Sequence, residues 1–365
     1  PKTDPMMAKL LGATAFCMTF VLRPVGGYVI GRIGDAIGRK TTIYITTFIM
    51  AGTCLTMAML PTYEKIGIWA TIAILLCRMF QGFSSLGEVI GAGVYLFETL
   101  KSPHKYIANA IIDMASRVGG FFALGVASLV LNSSFNWRYA FFIGAGIAII
   151  GFVARTRLRE TTEFANYQCR MKVQKQLDTR YVANEKVNKK ALVGLFLNVI
   201  LTPICFYCTY IYLGDFMKSN LGMTSEEVVT HNFKISIYSV LSSALLAYLC
   251  GKFHPIKIVK TSIIISIMAL LYMPYCLNNI ISVDGEMAIY FLQCLIYIPA
   301  FSNHINVVIW LKYLPVSKRF TTAATTFGCA TAIGYTISSY GLIPLTEWFG
   351  YYGVWALCAP VVVGF

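Results

Sequence analysis

The chain has 365 residues, 57% of them hydrophobic and only 13% charged, with a mean hydropathy of +0.66 and a formal net charge of +14. Soluble domains carry about 25% charged residues, so this composition excludes a water-soluble globular protein and points to lipid as the main solvent. The basic excess lies in short loops without an aromatic-interleaved basic groove, which argues against a nucleic-acid partner.

The chain opens at Pro1 in a polar stretch, PKTDP, with no cleavable leader, and is expected to lack its front. Apolar runs long enough to cross about 30 Å of hydrocarbon as helices follow at residues 7–30, 41–60, 68–98, 106–131, 139–157, 191–213, 233–251, 259–279, 287–312 and 320–346, and a last one runs from 351 and is expected to be incomplete at Phe365. Helices are required in lipid because backbone groups must pair internally. The alternating segments of roughly ten residues that mark a membrane β-barrel are missing. Of the eleven cysteines, all but Cys169 fall inside these spans, where a thiol behaves as a small apolar group. No disulfides are expected, and Cys205 and Cys208, though spaced C-x-x-C, have no redox fold around them.

The one long polar segment, about 155–190, holds ten basic residues and divides the chain. The expected organisation is an N-terminal bundle (1–157), a central cytoplasmic loop (158–190) and a C-terminal bundle (191–365). With the loop at 31–40 placed in the cytoplasm, alternate loops put 21 of the 30 Lys and Arg on that side, the bias expected of cytoplasmic loops. An internal repeat supports two bundles. GRIGDAIGRK (31–40) has a degenerate echo in GKFHPIKIVK (251–260), and KSPHK (101–105) in PVSK (315–318). Two spans precede the echo but only one precedes the first copy, so one helix is expected before Pro1. Restoring it gives six plus six helices related as parallel halves, an arrangement used by transporters.

The loop at 31–40 resembles the signature of the major facilitator superfamily, G-x-x-x-D-R/K-x-G-R-R/K. Gly31, Asp35, Gly38, Arg39 and Lys40 match it, and Ala36 departs from it. The glycines permit a tight turn and close helix packing. Asp35 suits the positive end of a neighbouring helix, and the cations suit acids at helix ends such as Glu98, which together would lock one conformation. Arg78-Met-Phe-Gln81-Gly82 resembles the superfamily's R-x-x-x-G element. At 100° per residue Arg78, Gln81, Ser85 and Glu88 share one polar stripe, and ionisable groups at membrane depth are functional by default.

LRPVGG (22–27), QGFSSLGE (81–88), NWRYAFF (136–142) and LRETTEF (158–164) are similar to the metabolite:proton symporter family, which includes the bacterial proline/betaine transporter and permeases for α-ketoglutarate, citrate and shikimate. The resemblance is dense over about 1–165 and thinner beyond. It implies an all-α carrier of two pseudo-symmetric six-helix bundles of the major facilitator type in a bacterial inner membrane. Such a carrier couples a proton gradient to inward movement of a small metabolite.

Asp113 and Arg117, four residues apart with the acid first, can form an intrahelical pair that is either structural or a coupling switch. Glu88 and Asp113 are the candidate proton carriers, and Arg23, Arg78, Gln81, Arg117, Asn198 and Asn303 the candidate substrate contacts. His304 reads as a hydrogen-bonded histidine that could titrate near neutral pH. Three intramembrane arginines, Arg23, Arg78 and Arg117, keep a di- or tricarboxylate open beside a zwitterion such as proline or betaine. A non-transporting sensor would show a soluble domain or a ruined loop, and an enzyme a catalytic constellation; neither is visible. There is no P-loop, H-E-x-x-H or paired zinc-spaced cysteine motif, so no cofactor or metal is expected, a gradient must supply the work, and a monomer is expected.

Overall fold

The computed structural model describes residues 17–132, 136–177, 185–278 and 285–364. The start of the first expected span, 7–16, and Lys2, Lys9, Arg180 and Asp284 of the charge pattern lie outside them. Among the described residues every regular element is helical.

In chain order these are α1 (Arg23–Ala36), α2 (Arg39–Met59), α3 (Ile68–Thr99), α4 (His104–Asn132), α5 (Arg138–Arg155) and α6 (Thr162–Leu177). Then come α7 (Lys189–Phe206), α8 (Ser225–Lys252), α9 (Pro255–Asn278), α10 (Gly285–Tyr297), α11 (Asn303–Leu311), α12 (Arg319–Phe349) and α13 (Gly353–Gly364). Seven are long and apolar enough to cross a membrane: α2, α3, α4, α5, α8, α9 and α7 with its continuation to Asn220. α12 has the length, at 31 residues, but its run of Thr, Ser and Gly lowers its hydropathy, because those residues face protein. The exterior is aliphatic, with Ile150 70% and Leu271 73% exposed, whereas Thr46 and Ser338 are fully buried. This inverted pattern is that of a protein solvated by hydrocarbon, and the chain is a multi-pass membrane protein.

Helix ends follow local chemistry. Thr224 caps α8 in a reciprocal box with Glu227, and the Asn188 side chain accepts from the backbone of Lys190 and Ala191 at the start of α7; each satisfies N–H groups that a helix leaves unpaired. Pro203 inside α7 supplies no N–H, and the helix passes through a π-helical stretch at Tyr207–Tyr212 before continuing over Leu213–Asn220. Two expectations change here. The span expected at 287–312 is broken by a 3-10 turn at Ile298–Ala300, where Pro299 interrupts the hydrogen-bond ladder between α10 and α11. The central segment expected as a loop contains α6, whose residues are good helix formers without Gly or Pro, with Phe164 buried.

α2 packs on α3 and α5, and α7 on α12, α11 and α13. Two long contacts join the earlier helices to the later ones, α1 along α12 and α4 along α8. The first is a backbone-to-backbone approach. A Cβ on Gly27 would lie 2.4 Å from the Ala324 carbonyl oxygen and one on Gly31 2.5 Å from Thr321 Cα, so only glycine permits this spacing. Gly31→Val is expected to destabilise the protein by about 3 kcal/mol, read as a lower thermal midpoint in detergent. An unchanged midpoint would show that the helices part without penalty.

Candidate functional site

Two polar clusters tie the halves of the chain together. The first stands where α1 ends. Asp35, on the last turn of α1, accepts hydrogen bonds from the backbone N–H of Phe320 (3.2 Å) and Thr321 (2.8 Å) and from the Thr321 hydroxyl (2.6 Å). It thus caps the N-terminus of α12, where free N–H groups and the helix dipole favour a carboxylate. Four residues on, Arg39 has a fully buried side chain 3.3 Å from Asp35. Its Nε and Nη2 donate to the two oxygens of Glu98 at 3.0 and 2.9 Å, in the bidentate geometry that strengthens such pairs. Its remaining bonds go to the carbonyls of Gly34 and Val316, both at 3.0 Å, and its guanidinium lies 4.2 Å from the centre of the Phe164 ring.

Glu98 also receives Arg319 Nη1 at 3.1 Å and the Thr161 hydroxyl at 2.7 Å, and Arg319 reaches Glu163 at 2.7 Å. Glu160 accepts from the backbone N–H of Arg39, Lys40 and Thr161. Gly38 is required beside it: its φ is +130°, and a Cβ would sit 2.2 Å from Glu160 Oε2. The Lys40 ammonium rests 5.6 Å from the Tyr44 ring. Residues from α1, α2, α3, α6 and α12 therefore meet in one network that joins the earlier and later parts of the chain.

The second cluster lies where α4 meets α8 and α11. Asp113, 3% exposed, accepts from Arg117 Nε at 2.8 Å through one oxygen and contacts His304 Nε2 at 3.0 Å through the other. Arg117 also donates to Ser239 Oγ at 3.2 Å and to the Tyr297 hydroxyl, its guanidinium stands 4.8 Å from the Tyr297 ring, and Ser239 and Tyr297 are bonded at 3.0 Å. The pair foreseen on one helix is thus shared with three groups from the other half. Each of its charges is held by a partner that moves away if the halves separate.

The other sequence-identified residues lie apart from this cluster. Glu88 pairs with Arg155 at 3.4 Å, and Arg155 also donates to Thr47. The Gln81 amide stands 3.6 Å from Cys54 Sγ and 3.7 Å from Met57 Sδ. Arg78 is exposed and makes no hydrogen bond or ion pair among the described residues. Gln81 and Glu88 therefore face α2 and α5, Arg78 stands exposed on the same helix, and the stripe does not join Arg117 in one site. Arg23 lies 4.6 Å from the Phe20 ring centre, and its buried Nε has no acceptor among the described residues. The Asn198 amide donates to the Asn303 carbonyl at 3.2 Å and to the Asn303 side chain, whose own amide donates to Thr202, so these three hold α7 to α11.

Sequence reasoning passed over Arg319, Glu160, Glu163, Ser239 and Tyr297 as site members and read His304 as an ordinary hydrogen-bonded residue. Arg319 carried one usable signal, its position beside the echo of the 101–105 loop. The serine and the tyrosine carried none, since each is an ordinary residue on an apolar helix.

Helical bundles with aliphatic exteriors and buried ionic clusters bridging their halves define a class of polytopic membrane proteins. Within it, the chain belongs to the Major Facilitator Superfamily, whose sequence profile matches residues 3–310. It is 29% identical over 268 residues to the proline/betaine transporter of Salmonella typhimurium, covering 69% of this chain and 53% of that protein. It is 28% identical over 270 residues to the glycine betaine/proline/ectoine/pipecolic acid transporter OusA of Dickeya dadantii, again covering 69% and 53%. The chain thus spans about half the length of the curated relatives it matches. The solved structure of the proton:xylose symporter XylE superposes with a TM-score of 0.72 at 14% identity, covering 96% of this chain and 85% of that one. This likeness concerns the fold alone.

Proposed function

We propose that this chain forms the moving core of a secondary carrier that imports a small zwitterionic osmolyte of the proline/betaine type with protons, by alternating access across a bacterial inner membrane. Residues 1–157 and 191–365 act as two bundles that rock against each other, and the loop at 31–40 and the segment at 158–190 face the cytoplasm. It works as a monomer. The observation that carries this reading is the Asp113–Arg117 pair, completed from the opposite half by His304, Ser239 and Tyr297. Protonation of Asp113 changes the charge of a cluster bridging the moving parts, so proton binding and rocking share one free energy. The network of Asp35, Arg39, Glu98 and Arg319 forms only when the cytoplasmic end is closed, and it serves as the gate. Named relatives support the substrate class.

A second reading is the same mechanism with a di- or tricarboxylate substrate: Arg23 Nε is buried with no acceptor among the described residues, and a carboxylate, which this substrate class carries in excess of the single one on proline or betaine, would complete it.

Uptake into proteoliposomes with an imposed inward proton gradient tests both. Proline or glycine betaine should accumulate at least tenfold over the gradient-free control, with α-ketoglutarate and citrate near background. The reverse pattern selects the carboxylate, and no accumulation of any of the four removes the carrier reading.

A further inference from the structure

Away from both clusters, the molecule contains a cavity of about 350 Å³ between α7, α9 and α11. Its walls are largely apolar, built by Leu197, Ile256, Val259, Ile309 and Trp310, and Lys260 stands among the lining residues. The cavity lies against the second and third turns of α7, the first two turns of α9 and the latter part of α11. Gly194 on α7 lies so close to the Trp310 ring of α11 that an added Cβ would be 2.4 Å from it. The first turns of α7 and α9 carry no acid, while Lys189, Lys190 and Lys257 occupy them, Lys260 stands on the second turn of α9 and Lys312 follows α11. The cavity therefore has largely apolar walls with Asn198, Asn306 and Lys260 as its polar lining, and the exposed Lys257 stands one turn before Lys260 on α9. The cavity opens among helices whose outer faces are aliphatic, with Leu197 itself 42% exposed.

We propose that this cavity binds an anionic phospholipid, with part of one acyl chain against Leu197, Ile256, Val259 and Ile309 and the headgroup phosphate held by Lys260 and Lys257. Water gains little along the apolar part of these walls, and the surrounding solvent of a membrane protein supplies chains that fill it. Lys260 and Lys257 then select lipids by charge, each lysine near an anionic headgroup favouring it by about fivefold. Occupancy braces α11 on the face behind His304, so the lipid acts on the same helix that carries a partner of Asp113. The site itself does not depend on what is transported.

Native mass spectrometry of the detergent-purified protein, offered equal amounts of phosphatidylglycerol and phosphatidylcholine with identical chains, provides the test. The expected result is one retained phosphatidylglycerol, favoured at least tenfold over phosphatidylcholine. Lys257→Ala with Lys260→Ala should cut that preference at least tenfold, and Leu197→Trp, which fills the cavity, should abolish retention of either lipid. Because both lysines are exposed, the double variant stays informative even if the tryptophan prevents folding. Equal retention of the two lipids, undiminished preference in the lysine variant, or displacement of the lipid by millimolar inorganic phosphate would each overturn the assignment. Since the readout is lipid retention, failure here is distinct from failure of uptake.

Discussion

Replacing Glu98 with Gln is expected to open the Asp35 end of the molecule. Glu98 is a fully buried carboxylate that receives two guanidiniums, Arg39 and Arg319, from opposite halves of the chain. Its removal leaves two buried cations facing each other without their shared anion. Breaking one member of a buried ionic group costs about 3–5 kcal/mol, and since each 1.4 kcal/mol is tenfold, the closed arrangement should lose roughly a hundredfold or more in population. Hydrogen exchange reads this directly. The amides of Phe320 and Thr321 are bonded to Asp35 in the closed network and should exchange faster in Glu98→Gln by a similar factor, while amides in the middle of α8 keep their protection. Uniform acceleration everywhere would mean global destabilisation, and unchanged exchange at Phe320 and Thr321 would show that Glu98 does not hold this end shut.

Asp113→Asn is expected to separate substrate movement from the proton gradient. The substitution keeps the shape of the side chain but removes the charge that faces both Arg117 and His304. Arg117 retains Ser239 and Tyr297 as neutral acceptors, so the fold should survive. Gradient-driven accumulation in proteoliposomes should drop at least tenfold, with substrate exchange at equal pH on both sides retained within about threefold. Glu88→Gln serves as the contrasting variant, because Glu88 pairs with Arg155 inside the N-terminal set of helices and not across the halves. If Glu88→Gln uncouples transport and Asp113→Asn does not, the proton carrier lies on α3.

The two clusters differ in how much of them could be read from residues. The loop at 31–40 announced itself because its glycines, acid and cations have fixed spacing and a known resemblance, and Glu98 stood at the end of its helix as an isolated acid. The partners on α12 and α6 were hidden: a sequence cannot show that the start of α12 lies against the end of α1, some 285 residues away. At the second cluster only the i, i+4 spacing of Asp113 and Arg117 was visible. His304 was singled out for its chemistry but given no partner, and Arg78 and Gln81, chosen from a polar stripe on α3, do not meet Arg117: Gln81 faces α2 and Arg78 is exposed.

By itself the sequence determined the class of fold. The long apolar runs demand helices wherever the backbone must satisfy itself in hydrocarbon, and the polar segment after the fifth span separates them into two sets. Local chemistry also set several helix ends, as at Asn188, Thr224 and Pro299. Only the tertiary structure decided which charges meet, because a buried ion is stabilised by groups within about 3 Å of it, and those groups come from helices far apart in the chain. Periodicity says which face of a helix is polar; packing alone says what that face touches.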